Sequence, residues 1–124
     1  MTERKRILYL EDEVELLETM GLLLQEQGYD VTVAKNAEEA LEIAQGTTFN
    51  LILADIKLPG IDGFEFLKKV RQIEHCRTVP FVFLTAFNNL KAAMDAKKEG
   101  AAEYVTKPFD FEYLVARIKA LTPP

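Results

Sequence analysis

Five side chains of this sequence, Glu11, Asp12, Asp55, Thr85 and Lys107, carry chemistry that matters only if the fold gathers them. Three carboxylates at one place repel each other, and burying them uncompensated is costly. They need a cation. Oxygen-only ligands with an incomplete shell fit Mg²⁺, which keeps several waters and accepts one or two carboxylates plus a phosphoryl oxygen. Lys107 supplies a compact positive charge nearby, and Thr85 a hydroxyl donor. A carboxylate nucleophile beside a metal, a lysine and a hydroxyl is a phosphoryl-acceptor constellation. Each feature alone has a plainer reading. Glu11 and Asp12 cap a helix, Asp55 ends a strand at a polar residue, and Lys107 neutralises neighbouring acids. The joint arrangement is what favours function.

The elements that must position these groups are legible in order. Leu51-Ile52-Leu53-Ala54 runs straight into Asp55 and is followed by Pro59-Gly60, the pattern of a buried strand of a parallel sheet. Ile7 to Leu10 is a similar run that ends in Glu11-Asp12-Glu13, and Pro80 to Leu84 is another that ends at Thr85-Ala86. Val31 and Val33 alternate with Thr32 as a further strand, and Ala102 to Val105 is a weaker one. Between them lie helical periods. Val14, Leu17, Gly21 and Leu24 share a face, and the Asp12/Glu15 spacing of a capping box makes Asp12 a candidate cap. Asn36 with Glu39 has the same spacing ahead of Ala37, Ala40, Leu41 and Ala44. Phe64, Leu67, Val70 and Arg71 begin a third helix, with Phe66 and Ile73 nearby. The segment from Asn88 to Glu99 is the least apolar, with Leu90, Ala93 and Met94 expected to face inward. Asp110 caps a last helix through Leu114, Ile118 and Leu121, which Pro123-Pro124 cannot continue. Strand–helix alternation repeated five times implies parallel strands, helices on both faces and right-handed crossovers. All strand carboxyl ends then share one rim, where open α/β sheets bind ligands.

The 124 residues suit one domain with one core, and 48% hydrophobic with 28% charged is a globular composition. A net charge of -5 and a pI near 4.9 oppose direct binding to nucleic acid or anionic membrane. The basic cluster Arg4-Lys5-Arg6 reads as a solvated N-terminus rather than a nucleic-acid patch. A single cysteine, Cys76, and a single histidine, His75, leave neither an internal disulfide nor a thiol or histidine metal cluster; His75 reads as a loop residue. No signal peptide or membrane span is visible, so a cytoplasmic domain is expected.

Four segments together resemble the receiver domains of two-component response regulators. They are Ile7-Leu8-Tyr9-Leu10-Glu11-Asp12-Glu13, Leu51 through Gly63 around Asp55, Leu84-Thr85-Ala86, and Tyr104-Val105-Thr106-Lys107-Pro108-Phe109. The resemblance spans about 6–121 of a single domain at 1–124. It implies a flavodoxin-like doubly wound (βα)5 fold with a parallel sheet of order 2-1-3-4-5. It also implies that Asp55 takes a phosphoryl group from a phosphohistidine on a sensor kinase or phosphotransfer protein. Mg²⁺ would be held by Asp12, Asp55 and the backbone carbonyl of Lys57, with Glu11 acting through water. Lys107 would hold a phosphoryl oxygen, and Thr85 would swing to another with Tyr104 moving inward behind it. Lys107-Pro108 would be a cis peptide. The side chains of Lys57 and Phe87, with Ala86 between Thr85 and Phe87, would border the phosphoryl group. Output would pass to an effector domain, a partner protein or a phosphorylation-dependent homodimer through the fourth helix, fifth strand and fifth helix. That surface includes Lys97, Lys98, Tyr104 and Lys119. Such a domain is not an enzyme beyond its own phosphorylation and dephosphorylation.

Three other readings compete. A pseudo-receiver keeps the fold as an interaction module without phosphoryl transfer; intact Asp55, Thr85 and Lys107 speak against it. A Mg²⁺-dependent phosphatase with an aspartyl intermediate would want a second acid two residues beyond Asp55, where Lys57 stands. A flavin-binding flavodoxin would want a hydroxyl- or glycine-rich first loop rather than acids.

Overall fold

The apolar runs of the sequence become the strands of one parallel sheet. In the computed structural model, which describes residues 4–124, β1 is Arg6–Leu10, β2 Asp30–Ala34, β3 Leu51–Ala54, β4 Phe81–Thr85 and β5 Glu103–Thr106. Met1 to Glu3 of the expected 1–124 domain lie outside the described residues. The strand order is β2-β1-β3-β4-β5 and every pairing is parallel. Helices α1 (Val14–Glu26), α2 (Ala37–Gly46), α3 (Gly63–Val70) and α4 (Leu90–Lys98) fill the crossovers, and α5 (Phe111–Leu121) follows β5. This is the flavodoxin-like doubly wound arrangement that the alternation and the resemblance imply. No helix among the described residues is long and apolar enough to cross a membrane.

Two cores follow from the alternation of side chains along the strands. Leu8, Leu10, Ile52, Phe81 and Phe83 pack beneath α2 and α3. Ile7, Tyr9, Leu51, Leu53, Val82 and Leu84 pack beneath α1 and α5. β3 and β4 are buried at every residue, which is why they read as unbroken apolar runs. On the first face, aromatic rings form a contiguous path. Phe66 meets Phe81 at 5.8 Å, Phe81 meets Phe83 at 4.9 Å, and Phe83 meets Phe64 at 5.2 Å and Tyr104 at 6.1 Å. Such pairs contribute about 0.5–1.5 kcal/mol each beyond burial, so the path stiffens the sheet edge beside Tyr104.

The helix ends show where local signals hold and where they fail. Asn36 accepts from the Glu39 amide at 2.8 Å, Asp62 from Glu65 at 2.9 Å and Asp110 from Glu112 at 2.9 Å. Asp12 does not cap α1. The cap position is Glu13, without a side-chain bond, and Asp12 instead joins the acidic group on the rim. Val14 is half exposed; the buried face of α1 is Leu17, Met20, Gly21 and Leu24. The expected inward face of α4 is also corrected. Leu90 and Met94 are 78% and 57% exposed, and Ala92 and Ala96 face the core. α3 ends at Val70, and Arg71 is its C-cap rather than part of an apolar face. Its guanidinium donates to the carbonyls of Cys76 (2.9 Å) and Val79 (2.6 Å), and burial pushes its pKa below the ordinary arginine value. Those carbonyls belong to a 3₁₀ turn over Glu74–Cys76 and the segment after it, a turn that the sequence did not announce. His75 lies in that turn, its Nε2 2.7 Å from the Ala44 carbonyl oxygen.

Gly63 fixes the loop that follows β3. Its amide donates to the Ile56 carbonyl at 2.7 Å, and a Cβ there would lie 2.3 Å from the Asp55 carbonyl oxygen and 2.7 Å from the Ile56 Cα. Those neighbours are backbone and cannot turn aside. Only a residue without Cβ lets α3 start this close to Asp55. Gly63→Ala is therefore expected to lower stability by about 1–3 kcal/mol, the range for overpacking. Gly46→Ala is the control, because a Cβ there meets nothing within 4 Å. Its stability should be unchanged or higher by up to about 1 kcal/mol. Urea unfolding at constant m-value reads both.

Candidate functional site

The parallel sheet brings four loop ends to one edge. Backbone hydrogen bonds continue the ladder past the strands and fix the functional residues. The Glu11 amide donates to Ala34 (3.1 Å), Asp55 to Leu10 (3.1 Å) and Lys107 to Thr85 (2.8 Å). Glu11, Asp55 and Lys107 lie two residues on from Tyr9, Leu53 and Val105, so they continue the alternation on the α1/α5 side. Thr85 continues the opposite series after Phe83. The Lys107–Pro108 peptide is cis.

The side chains converge as one cluster. Carboxylate oxygens of Glu11, Asp12 and Asp55 lie within 4.8 Å of one another. Lys107 Nζ donates to Glu11 Oε1 at 2.7 Å and to Asp55 Oδ2 at 3.0 Å. Asp55 Oδ1 accepts from the amides of Ile56 (2.6 Å) and Lys57 (3.3 Å), so both of its oxygens are held. Glu11 Oε2 accepts from the Glu13 amide at 3.2 Å. Glu11 and Asp55 are 1% and 7% exposed, whereas Asp12 is open to solvent.

Burial and charge act against each other here. Burial pushes the Glu11 carboxyl above its usual range, the Lys107 contact pulls it down, and the Asp55 charge pushes it up again. Burial alone would lower the Lys107 ammonium. The hydrogen bonds and charges of Glu11 and Asp55 outweigh that and hold it above the ordinary lysine value. Removing one partner from such a buried pair typically costs about 3–5 kcal/mol, because the other charge is left unmatched. With the three carboxylates and the one ammonium ionised, the cluster has a formal charge of -2. A hard divalent cation with oxygen ligands matches both the charge and the donor set.

Beside Asp55 lies a cavity of about 140 Å³ lined by Asp55, Lys57, Thr85, Ala86 and Phe87. The Thr85 hydroxyl is buried and accepts from the Phe87 amide at 3.1 Å. The Tyr104 hydroxyl donates to the Phe87 carbonyl, and burial followed by the Asp55 charge raises its pKa. Thr85 and Tyr104 are thus both tied to the backbone of one residue. Lys57 Nζ sits 5.0 Å from the Phe87 ring centroid. Sequence reasoning named both residues as borders of the site but not their contact, which depends on how two separate loops approach. It also passed over Tyr9, whose hydroxyl is the one buried side-chain polar atom without a hydrogen-bond partner among the described residues. Burial, then the charges of Glu11, Asp55 and Glu13, raise its pKa. A tyrosine inside an apolar strand run carries no signal of that placement.

Comparison with known proteins agrees with the geometry. The model of the response regulator receiver domain family matches residues 7–119. Response regulator ArlR of Staphylococcus saprophyticus is 37% identical over 116 residues, which cover 94% of this chain and 51% of that protein. Transcriptional regulatory protein FixJ of Bradyrhizobium diazoefficiens is 28% identical, with 97% of this chain and 58% of that protein covered. The chain spans about half the length of these relatives. Among solved structures, the non-phosphorylated HemR receiver domain of Leptospira biflexa aligns with a TM-score of 0.89 at 30% identity. It covers 98% of this chain and 96% of that one. Chemotaxis protein CheY4 of Vibrio cholerae aligns with a TM-score of 0.90 at 30% identity, covering 95% and 98%. With the fold, the acidic rim and the family model in agreement, the chain belongs to the response regulator receiver domain family of two-component systems.

Proposed function

We propose that this receiver accepts a phosphoryl group on Asp55 from a phosphohistidine of a sensor kinase or phosphotransfer protein, in a Mg²⁺-dependent reaction. The observation that carries the reading is the cluster of three carboxylates and one ammonium facing a cavity at Asp55. In the transfer, an Asp55 oxygen forms a bond to phosphorus while the phosphorus–nitrogen bond to imidazole breaks. The imidazole keeps that electron pair and takes up a proton. In the reverse sense of the switch, a water oxygen attacks phosphorus, the bond to the carboxylate breaks, and orthophosphate leaves.

The residues divide the work. Asp12 and Asp55, with the Lys57 carbonyl and with Glu11 through water, would hold the cation. When bound, Mg²⁺ supplies charge neutralisation for the carboxylates and the phosphoryl oxygens. Lys107 would leave its shared position between Glu11 and Asp55 to hold a phosphoryl oxygen. Thr85 would donate its hydroxyl proton to another, and a swing of that hydroxyl would pull on the Phe87 amide that donates to its oxygen. Tyr104 follows, because its own partner is the carbonyl of that same Phe87. The added charge biases a pre-existing equilibrium between two arrangements of the α4-β5-α5 surface. Leu90, Met94 and Tyr113 are large apolar side chains left exposed on α4 and α5, which suits a surface that meets an effector domain, a partner protein or a second receiver. Relatives about twice as long, one of them named a transcriptional regulatory protein, fit an effector attached beyond the receiver.

Two measurements test the reading. Intact mass after incubation with Mg²⁺ and acetyl phosphate should rise by one phosphoryl group in the wild type and not in Asp55→Asn. A chain that gains nothing from acetyl phosphate or from a competent histidine-kinase donor is an interaction module instead. Thermal unfolding at a Mg²⁺ concentration of about a hundred times Kd should show about 2.7 kcal/mol of added stability. Asp12→Asn should lose most of that gain. Without Mg²⁺ it should be no less stable than the wild type, since the substitution removes a like charge from the cluster.

A further inference from the structure

One polar atom just below the rim has no use in the arrangement described so far. Tyr9 and Leu53 are register partners on β1 and β3, and Glu11 and Asp55 follow them two residues on, on the same α1/α5 side. Tyr9 therefore stands one layer beneath the acidic cluster. It is fully buried, and its hydroxyl is the one buried side-chain polar atom without a hydrogen-bond partner among the described residues. A desolvated, unpaired hydroxyl is unfavourable, and phenylalanine would fill the same apolar place without one. Burial, then the charges of Glu11, Asp55 and Glu13, raise its pKa, so the hydroxyl keeps its proton and is available as a donor.

Glu11 is the acceptor that this donor suits. Two residues along a strand span about 6.6 Å, and a tyrosine leaning along the strand direction covers that distance. Glu11 is 1% exposed, with Lys107 on Oε1 at 2.7 Å and the Glu13 amide on Oε2 at 3.2 Å. A carboxylate has about four acceptor sites, so those bonds and water on a bound cation leave room for another. When Lys107 turns to a phosphoryl oxygen, Glu11 loses its one charged donor in a place closed to bulk water. Asp12 is open to solvent and has no such need. Asp55, once phosphorylated, is no longer a carboxylate.

We propose that the Tyr9 hydroxyl is the reserve donor of the rim, bonding Glu11 when Lys107 leaves it for the phosphoryl group. The inference rests on the phosphoacceptor reading. It gives Tyr9 a positioning role, since the residue touches neither phosphorus nor the cation. In the arrangement seen here Lys107 serves both acids and the hydroxyl is unpaired. In the phosphorylated arrangement one donor leaves Glu11 and another engages. Tyr9 thus weakens the first arrangement and strengthens the second, which tilts the equilibrium between them toward the second.

Tyr9→Phe tests this, because it removes the hydroxyl and keeps the ring. The probe is beryllofluoride with Mg²⁺, a tetrahedral stand-in for a phosphoryl group on a carboxylate, titrated by NMR. Its affinity for Tyr9→Phe should be about tenfold weaker than for the wild type, the lower end of what a hydrogen bond to a charged group contributes. Without the probe, the urea midpoint of Tyr9→Phe should equal or exceed that of the wild type. Equal affinity for the probe overturns the proposal and leaves Tyr9 a packing residue. An equal loss of affinity for Mg²⁺ alone also overturns it, because the defect would then lie in the metal site. A second readout follows the bond itself. In protein carrying ¹³C at tyrosine Cζ, the signal missing from Tyr9→Phe belongs to Tyr9. Donation to Glu11 should move that signal downfield when beryllofluoride is added to the wild type, and a stationary signal overturns the proposal. If the wild type binds no beryllofluoride and takes no phosphoryl group from any donor, the phosphoacceptor reading fails and takes this role with it. If the wild type binds the probe and Tyr9→Phe binds it equally well, the role of Tyr9 alone fails.

Discussion

The ammonium of Lys107 is the interaction on which the rest of the site depends. It joins two buried carboxylates from different strands, 2.7 Å from Glu11 and 3.0 Å from Asp55, across sequence separations of 96 and 52 residues. Without it the rim would hold two desolvated acids with only backbone amides as donors. A parallel sheet makes the arrangement available because every strand delivers its carboxyl end to the same edge. The compensation is incomplete by design of the donor set: one ammonium cannot balance three carboxylates. The residual charge disfavours a closed, dry cluster and favours one that recruits a cation. Asp12, the exposed member, provides the open side.

The same neighbourhood shows why a change at Asp55 need not stay local. Three hydrogen-bonding groups, the Thr85 hydroxyl, the Phe87 backbone and the Tyr104 hydroxyl, form a short chain from the cavity to β5. Each has few alternatives. The Thr85 hydroxyl is buried and cannot turn to bulk water, and the Tyr104 ring packs on Phe83. Under the phosphoacceptor reading, Thr85 donates its proton to a phosphoryl oxygen while its lone pairs stay available to the Phe87 amide, so movement of the hydroxyl pulls on that bond without exchanging it. Net hydrogen-bond contributions are about 0.5–1.5 kcal/mol, and those to charged groups about 1.5–3. A bond from Thr85 to a charged phosphoryl oxygen is therefore worth an amount that shifts populations without threatening the fold.

Much of this was legible in the sequence, for physical reasons that can be named. Strands buried on both faces must be apolar throughout, so Leu51–Ala54 and Phe81–Thr85 declare themselves, and their polar ends locate the rim. Asn36 and Asp110 declare helix starts because a short polar side chain ahead of an apolar period has one good local use. Asp12 has the same spacing yet does something else. The chain leaves β1 so that Glu13 takes the cap position and Asp12 stands on the rim beside Glu11 and Asp55, which local spacing cannot reveal. The inward face of α4 was misread because Leu90 and Met94 are more apolar than Ala92 and Ala96. Hydrophobicity ranks candidates for burial, but the rotation of α4 about its own axis, which puts Ala92 and Ala96 inward, is set by the tertiary fold. The Lys57–Phe87 contact and the Arg71 clamp join segments that are distant in sequence or irregular, where no periodicity exists to read.

That misreading of α4 bears on output. The helix buries only two alanines, and alanine offers little apolar area to hold an element in place. Both ends of α4 are capped within its own segment. Asn89 accepts from the amides of Lys91 and Ala92, and Gly100, at a φ of +99°, lets the Ala101 amide return to Ala96 at 2.9 Å. A helix with so thin a buried face shifts at small cost, since moving it exposes little apolar surface. The exposed Leu90 and Met94 ride on this helix. A ligand can bias an equilibrium only by its differential interaction with the two states. Under the phosphoacceptor reading, a shift of a few kcal/mol at Thr85 would be enough to matter at α4 because so little apolar burial opposes it.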